Sequence, residues 1–244
     1  MNPRIILSVS VLALLSSAAV TLSLGQPDTA KQPAKEATKA KPMGDPYTLA
    51  TCPTSGKKLG AMGDPIVKAY DGREVRFCCA MCPPKFEKDL AASLATLDAA
   101  IVKDQLPLYP TDASIVSGKT LGAKPIDWVY NNRLVRLADA GEKAEFLKDP
   151  KKHLADLDKA AIQQQSKGYP LKTCPVSKED LGDMGEAKDV VIGGRLIRLC
   201  CNDCKTGLAK DPAKFIAAVD AARHGKDAAP DKGGDHHADA PAKK

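Results

Sequence analysis

A chain of 244 residues with only 4% aromatic side chains is not expected to build one large aromatic-rich core, but it is long enough for several small modules. Its formal net charge of +6 is spread over lysine-rich segments and forms no basic stripe interleaved with aromatic residues, which argues against nucleic-acid binding. Small units bury little apolar surface and often need disulfides or a metal ion for stability, and the eight cysteines fit that need.

Residues 1–25 have the pattern of an export signal. Arg4 precedes an uncharged run, residues 5–24, whose second half is rich in Ser, Thr and Ala. We expect this segment to be cleaved; the alternative is a retained membrane anchor, because the run is nearly long enough to span a bilayer. A periplasmic or secreted location matters for the chemistry, since free thiols persist there mainly when they are metal-bound or disulfide-paired.

The remaining chain consists of a repeat flanked by two polar segments. Residues 26–46 are charged and rich in Ala and Pro, which predicts a disordered linker, and residues 224–244 predict a tail of the same kind. Between them the sequence repeats three times with a period of about 60 residues. The predicted modules are residues 47–106, 107–167 and 168–223.

Each repeat has the pattern of a β-hairpin. The predicted turns are Asp71-Gly72, Asn131-Asn132 and Gly193-Gly194, which all tolerate the positive φ of a tight turn. The predicted strand pairs are residues 66–70 with 73–77, 128–130 with 133–137, and 190–192 with 195–199.

A helical segment closes each repeat. In the second and third repeats, Asp149-Pro150 and Asp211-Pro212 predict a helix that restarts, with Asp as N-cap and Pro in the first turn. In the first repeat, helical spacing predicts one continuous amphipathic helix with the apolar face Phe86, Leu90, Leu94, Leu97 and Ile101. The expected fold class is α+β: three tandem small modules, each with a loop or knuckle, a β-hairpin and one or two C-terminal helices in a treble-clef-like arrangement.

All the cysteines lie in the first and third repeats, at identical spacings. A lone Cys-Pro precedes the hairpin, and three clustered cysteines follow it: Cys52, Cys78, Cys79 and Cys82 in the first repeat, and Cys174, Cys200, Cys201 and Cys204 in the third. Two copies of one four-thiol pattern predict two metal sites. A helix N-terminus lowers the pKa of a thiol and so favours the thiolate that binds metal.

The middle repeat keeps the hairpin and helix signals but lacks thiols. Ser114 replaces the lone cysteine, and Ala138, Asp139 and Glu142 replace the clustered ones. We therefore expect a structural spacer that fixes the relation of the outer modules.

Two segments of the first repeat resemble the YHS and TRASH-like metal-binding modules: Cys52-Pro53-Thr54-Ser55-Gly56, and Tyr70-Asp71-Gly72-Arg73 followed by Phe77-Cys78 with Cys82 and Phe86. The third repeat is similar, with Cys174-Pro175-Val176-Ser177, Gly194-Arg195, Leu199-Cys200 with Cys204, and Asp211-Pro212. The resemblance implies small treble-clef domains that bind zinc or sense or carry heavy metals such as copper. It departs from the family at Ser55 and Ser177, where many relatives have a second cysteine.

The choice of ligands within each cluster stays open. Helical spacing places either Cys79 or Cys78 one turn from Cys82. We favour Cys52, Cys79 and Cys82 as ligands, with Cys78 as a fourth ligand or a buried neighbour, and the same assignment in the third repeat. The family resemblance instead favours Cys78 and Cys200 over their neighbours. Met62 and Met184 occupy matching loop positions and would favour Cu⁺ if a thioether assisted the thiolates. The simpler alternative is a methionine that fills a gap beneath the loop.

These patterns predict an exported, non-enzymatic protein with two thiolate sites for Zn²⁺, or alternatively Cu⁺, serving structure or metal carriage and sequestration. Its partners would be the metal ion and another exported or membrane protein. A second hypothesis is a disulfide-stapled or thiol-redox interaction protein, since eight cysteines permit four bridges. The sequence lacks the βαβ pattern that normally accompanies a Cys-x-x-Cys redox enzyme, which argues against that class of enzyme. A third hypothesis is a purely structural or adhesive repeat protein.

Overall fold

In the part of the chain that the structure describes, three two-stranded antiparallel β-hairpins alternate with pairs of helices, which makes the fold α+β. The computed structural model describes residues 44–225. The predicted export signal, most of the predicted linker and nearly all of the predicted tail lie outside these residues. The hairpins are β1 (Ile66–Tyr70) with β2 (Arg73–Phe77), β3 (Ile126–Tyr130) with β4 (Arg133–Leu137), and β5 (Lys188–Ile192) with β6 (Arg195–Leu199).

The predicted turns are confirmed, but β3 and β5 begin two residues earlier than predicted. Asp127 pairs with Arg136 across the β3–β4 hairpin, and their side chains form an ion pair at 2.8 Å. Asp189 and Arg198 repeat this pair in the third hairpin, also at 2.8 Å. Opposite charges on facing strand positions stabilise the longer hairpins. The earlier start of β3 and β5 was not predicted, because aspartate is uncommon in strands.

The helices are α1 (Cys82–Glu87), α2 (Leu90–Gln105), α3 (Glu142–Phe146), α4 (Pro150–Ser166), α5 (Cys204–Lys210) and α6 (Pro212–Arg223), with a 3₁₀ turn at Leu106–Leu108. The prediction of one continuous helix in the first repeat is wrong. Asp89 (φ −137°) accepts a hydrogen bond from the Ala92 N–H and starts α2 as its N-cap, as Asp149 and Asp211 do for α4 and α6. Within residues 44–225, no helix is long and apolar enough to cross a lipid bilayer.

The long helix of one repeat packs against the hairpin of the next. Helix α2 contacts β3 and β4, and α4 contacts β5 and β6. The Gln105 side chain donates to the Asn132 carbonyl at 2.7 Å and accepts from the Leu134 N–H at 2.8 Å. Gln165 repeats both bonds on the third hairpin, at 2.8 and 2.9 Å. The repeats are therefore interlocked rather than strung together as independent units.

The hairpins are also joined near their turns, by a group of residues that we call the turn hub: Asp45, Asn132, Arg133 and Gly193. Asn132 accepts a hydrogen bond from Arg73 Nε at 2.7 Å, which links the first hairpin to the second. Asp45 accepts from Arg133 Nε at 2.7 Å and from the Gly193 N–H at 2.6 Å, which links the second to the third. The hub places the three hairpins in a fixed relation around one polar centre.

Candidate metal centres

The lone cysteine of each outer repeat lies in a tight loop, the knuckle. The Cys52 N–H donates to the Lys57 carbonyl, and the Gly56 N–H donates back to the Cys52 carbonyl, each at 2.8 Å. Gly56 has a φ of +68°, and Lys178 has a φ of +71° at the equivalent position of the third repeat. This left-handed residue reverses the chain, and Cys52 is only 1% exposed.

The knuckle cysteine meets two clustered cysteines in each outer repeat. Strand β2 ends immediately before Cys78, and Cys82 opens helix α1. The sulfurs of Cys52, Cys78 and Cys82 all lie within 4.8 Å of one another, and all three residues are buried. The third repeat forms the same group, again within 4.8 Å, from Cys174, Cys200 and Cys204. Each triad is thus placed to hold a metal ion, as the sequence predicted.

The remaining cysteine of each cluster lies at the edge of its triad. Cys79 Sγ is 3.6 Å from Cys82 Sγ, and Cys201 Sγ is 3.7 Å from Cys204 Sγ. Both residues are partly exposed, whereas Cys78 is 3% exposed. Helical spacing allowed either residue, and Cys79 was the favoured ligand, but the buried triad contains Cys78. In the third repeat the sulfurs of the vicinal pair Cys200 and Cys201 are 3.9 Å apart, so both lie beside the site, one buried and one partly exposed.

Hydrogen-bond donors surround the sulfur of the knuckle cysteine. Burial raises the pKa of Cys52, but the Ser55 hydroxyl and the N–H groups of Cys78, Ser55 and Thr54 outweigh burial and bring the pKa to about 6. The same competition between burial and donors brings the pKa of Cys174 to about 6. Donors that stabilise negative charge on this sulfur prepare it to act as a metal ligand.

The helix-opening cysteine behaves in the opposite way. Burial, together with hydrogen bonds that its S–H donates to the neighbouring sulfurs, raises the pKa of Cys82 to about 12, and the pKa of Cys204 also to about 12. Each triad without metal therefore combines one readily ionised thiol with one that retains its proton. A bound cation would replace that proton, since metal binding requires the thiolates and releases their protons.

Two serines belong to the clusters although the sequence did not predict a role for them. Ser55 Oγ lies 3.3 Å from Cys78 Sγ, and Ser177 Oγ lies 3.2 Å from Cys200 Sγ. Each serine lies three residues after the knuckle cysteine, and this shared spacing in both thiol-bearing repeats could have indicated a role from the sequence.

The two loop methionines are exposed. Met62 is 59% exposed and Met184 is 68% exposed, and neither belongs to the buried clusters that contain the cysteines. The simpler alternative, a methionine that fills a gap beneath its loop, is therefore wrong. Assistance from their thioethers stays a prediction.

A carboxylate occupies the corresponding place in the middle repeat. Ser114 Oγ donates to Glu142 Oε2 at 2.6 Å, the Ala138 N–H donates to the same oxygen at 2.8 Å, and Ser117 Oγ donates to Oε1. Ser114 stands at the knuckle position and Glu142 at the helix-opening position. Hydrogen bonds to one buried carboxylate thus connect the knuckle to the helix where the outer repeats have thiols.

We expect Glu142→Ala to lower the free energy of unfolding by about 2–4 kcal/mol, because it leaves two donors, the buried Ser114 O–H and the Ala138 N–H, without their acceptor. Urea denaturation of the metal-free protein at pH 7 measures this loss. Glu145→Ala is the control on the same helix, since Glu145 is exposed and, within residues 44–225, its carboxylate pairs with Lys148 alone. Equal stability of the two variants would contradict a structural role for the carboxylate.

The same carboxylate gives a pH dependence. Burial raises the pKa of Glu142, but hydrogen bonds from Ser114, Ser117 and the Ala138 N–H outweigh burial and hold the pKa below its usual value. Its stabilising effect is therefore complete above the pKa of the unfolded chain and is lost as the pH falls through the lower, folded-state pKa. Glu142→Gln should remove this part of the acid destabilisation, which urea denaturation at a series of pH values measures.

Comparison of the chain with protein-family models, with curated proteins and with solved structures gave no match. The function must therefore be inferred from the geometry and chemistry of the two cysteine clusters.

Proposed function

We propose that this chain is an exported, non-enzymatic protein that binds two metal ions, one in each outer repeat, through cysteine thiolates. The observation that carries the proposal is the pair of buried triads, each with three sulfurs within 4.8 Å of one another. Three thiols so close together without an ion would crowd negative charge as they ionise, and a cation relieves that repulsion. The match between two separate repeats argues against a chance cluster.

The donor set fits Zn²⁺ and Cu⁺. Zinc is bound by thiolates in tetrahedral sites, and a structural zinc site is closed by four protein ligands. Cys79 and Cys201 could supply the fourth sulfur, since each lies within 3.7 Å of a triad member. Cu⁺ favours soft sulfur ligands and would be served by the triad alone. The partly exposed fourth thiol favours a labile site for metal carriage or sequestration over a purely structural one.

The local architecture supports a treble-clef assignment for the outer repeats. A knuckle presents the first cysteine, a hairpin follows, and the last ligand opens a helix, in the order that the resemblance to YHS and TRASH-like modules implies. We propose that the middle repeat is a relative in which the carboxylate of Glu142 replaces the metal site. Export would place both clusters where a thiol needs a metal ion or a disulfide partner.

The test is to purify the exported form without oxygen and to measure its metal content and titratable thiols. The proposal predicts two equivalents of metal per chain, one for each triad, and all eight thiols recovered after chelation. A metal-free protein with four disulfides would contradict it and would support the disulfide-stapled alternative.

A further inference from the structure

One thiol in each cluster can be reached from solvent, and it contacts a thiol that cannot. In the first cluster Cys52, Cys78 and Cys82 are 1%, 3% and 5% exposed, whereas Cys79 is partly exposed. Cys79 Sγ lies 3.6 Å from Cys82 Sγ, and Cys79 precedes Cys82, the first residue of α1, by three positions. The third repeat builds the same pair from Cys201 and Cys204, with sulfurs 3.7 Å apart.

We propose that Cys79–Cys82 and Cys201–Cys204 are redox-active pairs, and that closing each pair into a disulfide expels the metal ion from its triad. This inference rests on the proposed function, because it assumes that the triads hold metal. Cys82 is the shared member: it belongs to the buried triad and contacts the exposed thiol. A disulfide at Cys82 leaves only the sulfurs of Cys52 and Cys78 for the ion, which is too few for a stable site.

The oxidant that the geometry admits is a small-molecule disulfide. The Cys79 sulfur attacks one sulfur of that molecule, forms a mixed disulfide and expels the other half as a thiolate. The Cys82 sulfur then attacks the Cys79 sulfur, and the second half leaves as a thiolate. Two cysteine sulfurs have lost two electrons in total, the small disulfide has been reduced to two thiolates, and the released metal ion passes to solvent.

Burial selects this pair over the other close contact in the cluster. Cys78 Sγ lies 3.7 Å from Cys82 Sγ, nearly as close as Cys79 does. Both of those residues are buried, however, so neither can be the first to meet an external disulfide without local opening. The rate of exchange depends on access to the attacking sulfur, and Cys79 is the member of the first cluster that has it.

The experiment uses the full chain loaded with Zn²⁺ and exposed to excess hydroxyethyl disulfide. A chromophoric indicator follows released zinc, and peptide mass spectrometry locates the disulfides. We expect one disulfide in each outer repeat, Cys79–Cys82 and Cys201–Cys204, with one zinc ion released for each. Cys79→Ser should slow release from the first repeat about tenfold or more, while the third repeat of the same molecule reacts as before.

Other disulfides, or an unchanged rate of zinc release, decide against the inference. Disulfides that join Cys78 to Cys82, or a knuckle cysteine to its cluster, would overturn it, as would release from Cys79→Ser at the wild-type rate. If Cys79→Ser fails to hold zinc, the disulfides mapped in the metal-free wild-type chain decide whether the pairing is correct. A chain that binds no zinc but forms the two disulfides would refute the proposed function and retain the redox pairs.

Discussion

Cys52→Ser is expected to weaken metal binding in the first repeat by about a hundredfold and to leave the third repeat unchanged. Thiolate zinc sites provide about 10–16 kcal/mol over four ligands, so one thiolate contributes roughly 3 kcal/mol. The loss should be confined to one repeat, because the sulfurs of the second triad come from the third repeat alone. Competition with a chromophoric zinc indicator measures the two affinities separately.

Two substitutions control for this result. Cys174→Ser should weaken only the site in the third repeat. Ser114→Ala changes the equivalent position of the middle repeat and should leave both zinc affinities unchanged, although it removes the hydrogen bond to Glu142. Equal weakening of both sites by Cys52→Ser, or no weakening of either, would mean that the knuckle cysteine is not a ligand.

The second large effect is expected at the turn hub, where Arg133→Met should lower the free energy of unfolding by about 3–5 kcal/mol. The Arg133 side chain is 3% exposed and forms ion pairs with Asp45 at 2.7 Å and with Asp158 at 2.8 Å. Burial lowers the pKa of Arg133, but these two carboxylates raise it by more, so the guanidinium is charged at any working pH. Its removal leaves the largely buried carboxylate of Asp45 and the more exposed carboxylate of Asp158 without their cation.

Arg136→Met is the matched control, since Arg136 lies on the same strand and makes a more exposed ion pair with Asp127 at 2.8 Å. A pair of that kind contributes only about 0–1 kcal/mol. Urea denaturation of the two variants in parallel gives the comparison. If Arg133→Met were no less stable than Arg136→Met, the hub would not hold the three hairpins together.

Local signals in the sequence account for most of what was predicted correctly. The turns Asp71-Gly72, Asn131-Asn132 and Gly193-Gly194 need positive φ, and the structure has positive φ at each of these positions. The helix restarts at Asp149 and Asp211 were visible because a proline follows each aspartate. Asp89 has no proline after it, so the same N-cap was not predicted.

Contacts between distant residues could not be predicted. Asp45 reaches both Arg133 and the Gly193 N–H, far along the chain, and nothing in its neighbours indicates this. The packing of α2 and α4 on the following hairpins is likewise invisible to local periodicity. The repeat period revealed three modules, but their interlocking arises from long-range burial and hydrogen bonding.

The sequence predicted which residues form the candidate sites but not how those residues are arranged. Residue spacing grouped the cysteines into two sites. It could not show whether Cys78 or Cys79 joins the buried triad, because that depends on the backbone direction after β2. The loss of thiols in the middle repeat was also evident. The contact between Ser114 and Glu142 could not be predicted, because it forms only when the fold brings the knuckle next to the helix.

X-ray absorption at the metal edge, on protein loaded with Zn²⁺ under anaerobic conditions, tests most directly whether the triads are metal centres. Ligation by the cysteines predicts a first shell made of sulfur at about 2.3 Å, with three or four sulfurs per ion. A shell of nitrogen or oxygen atoms at about 2.0–2.2 Å, with all eight thiols still free, would contradict it.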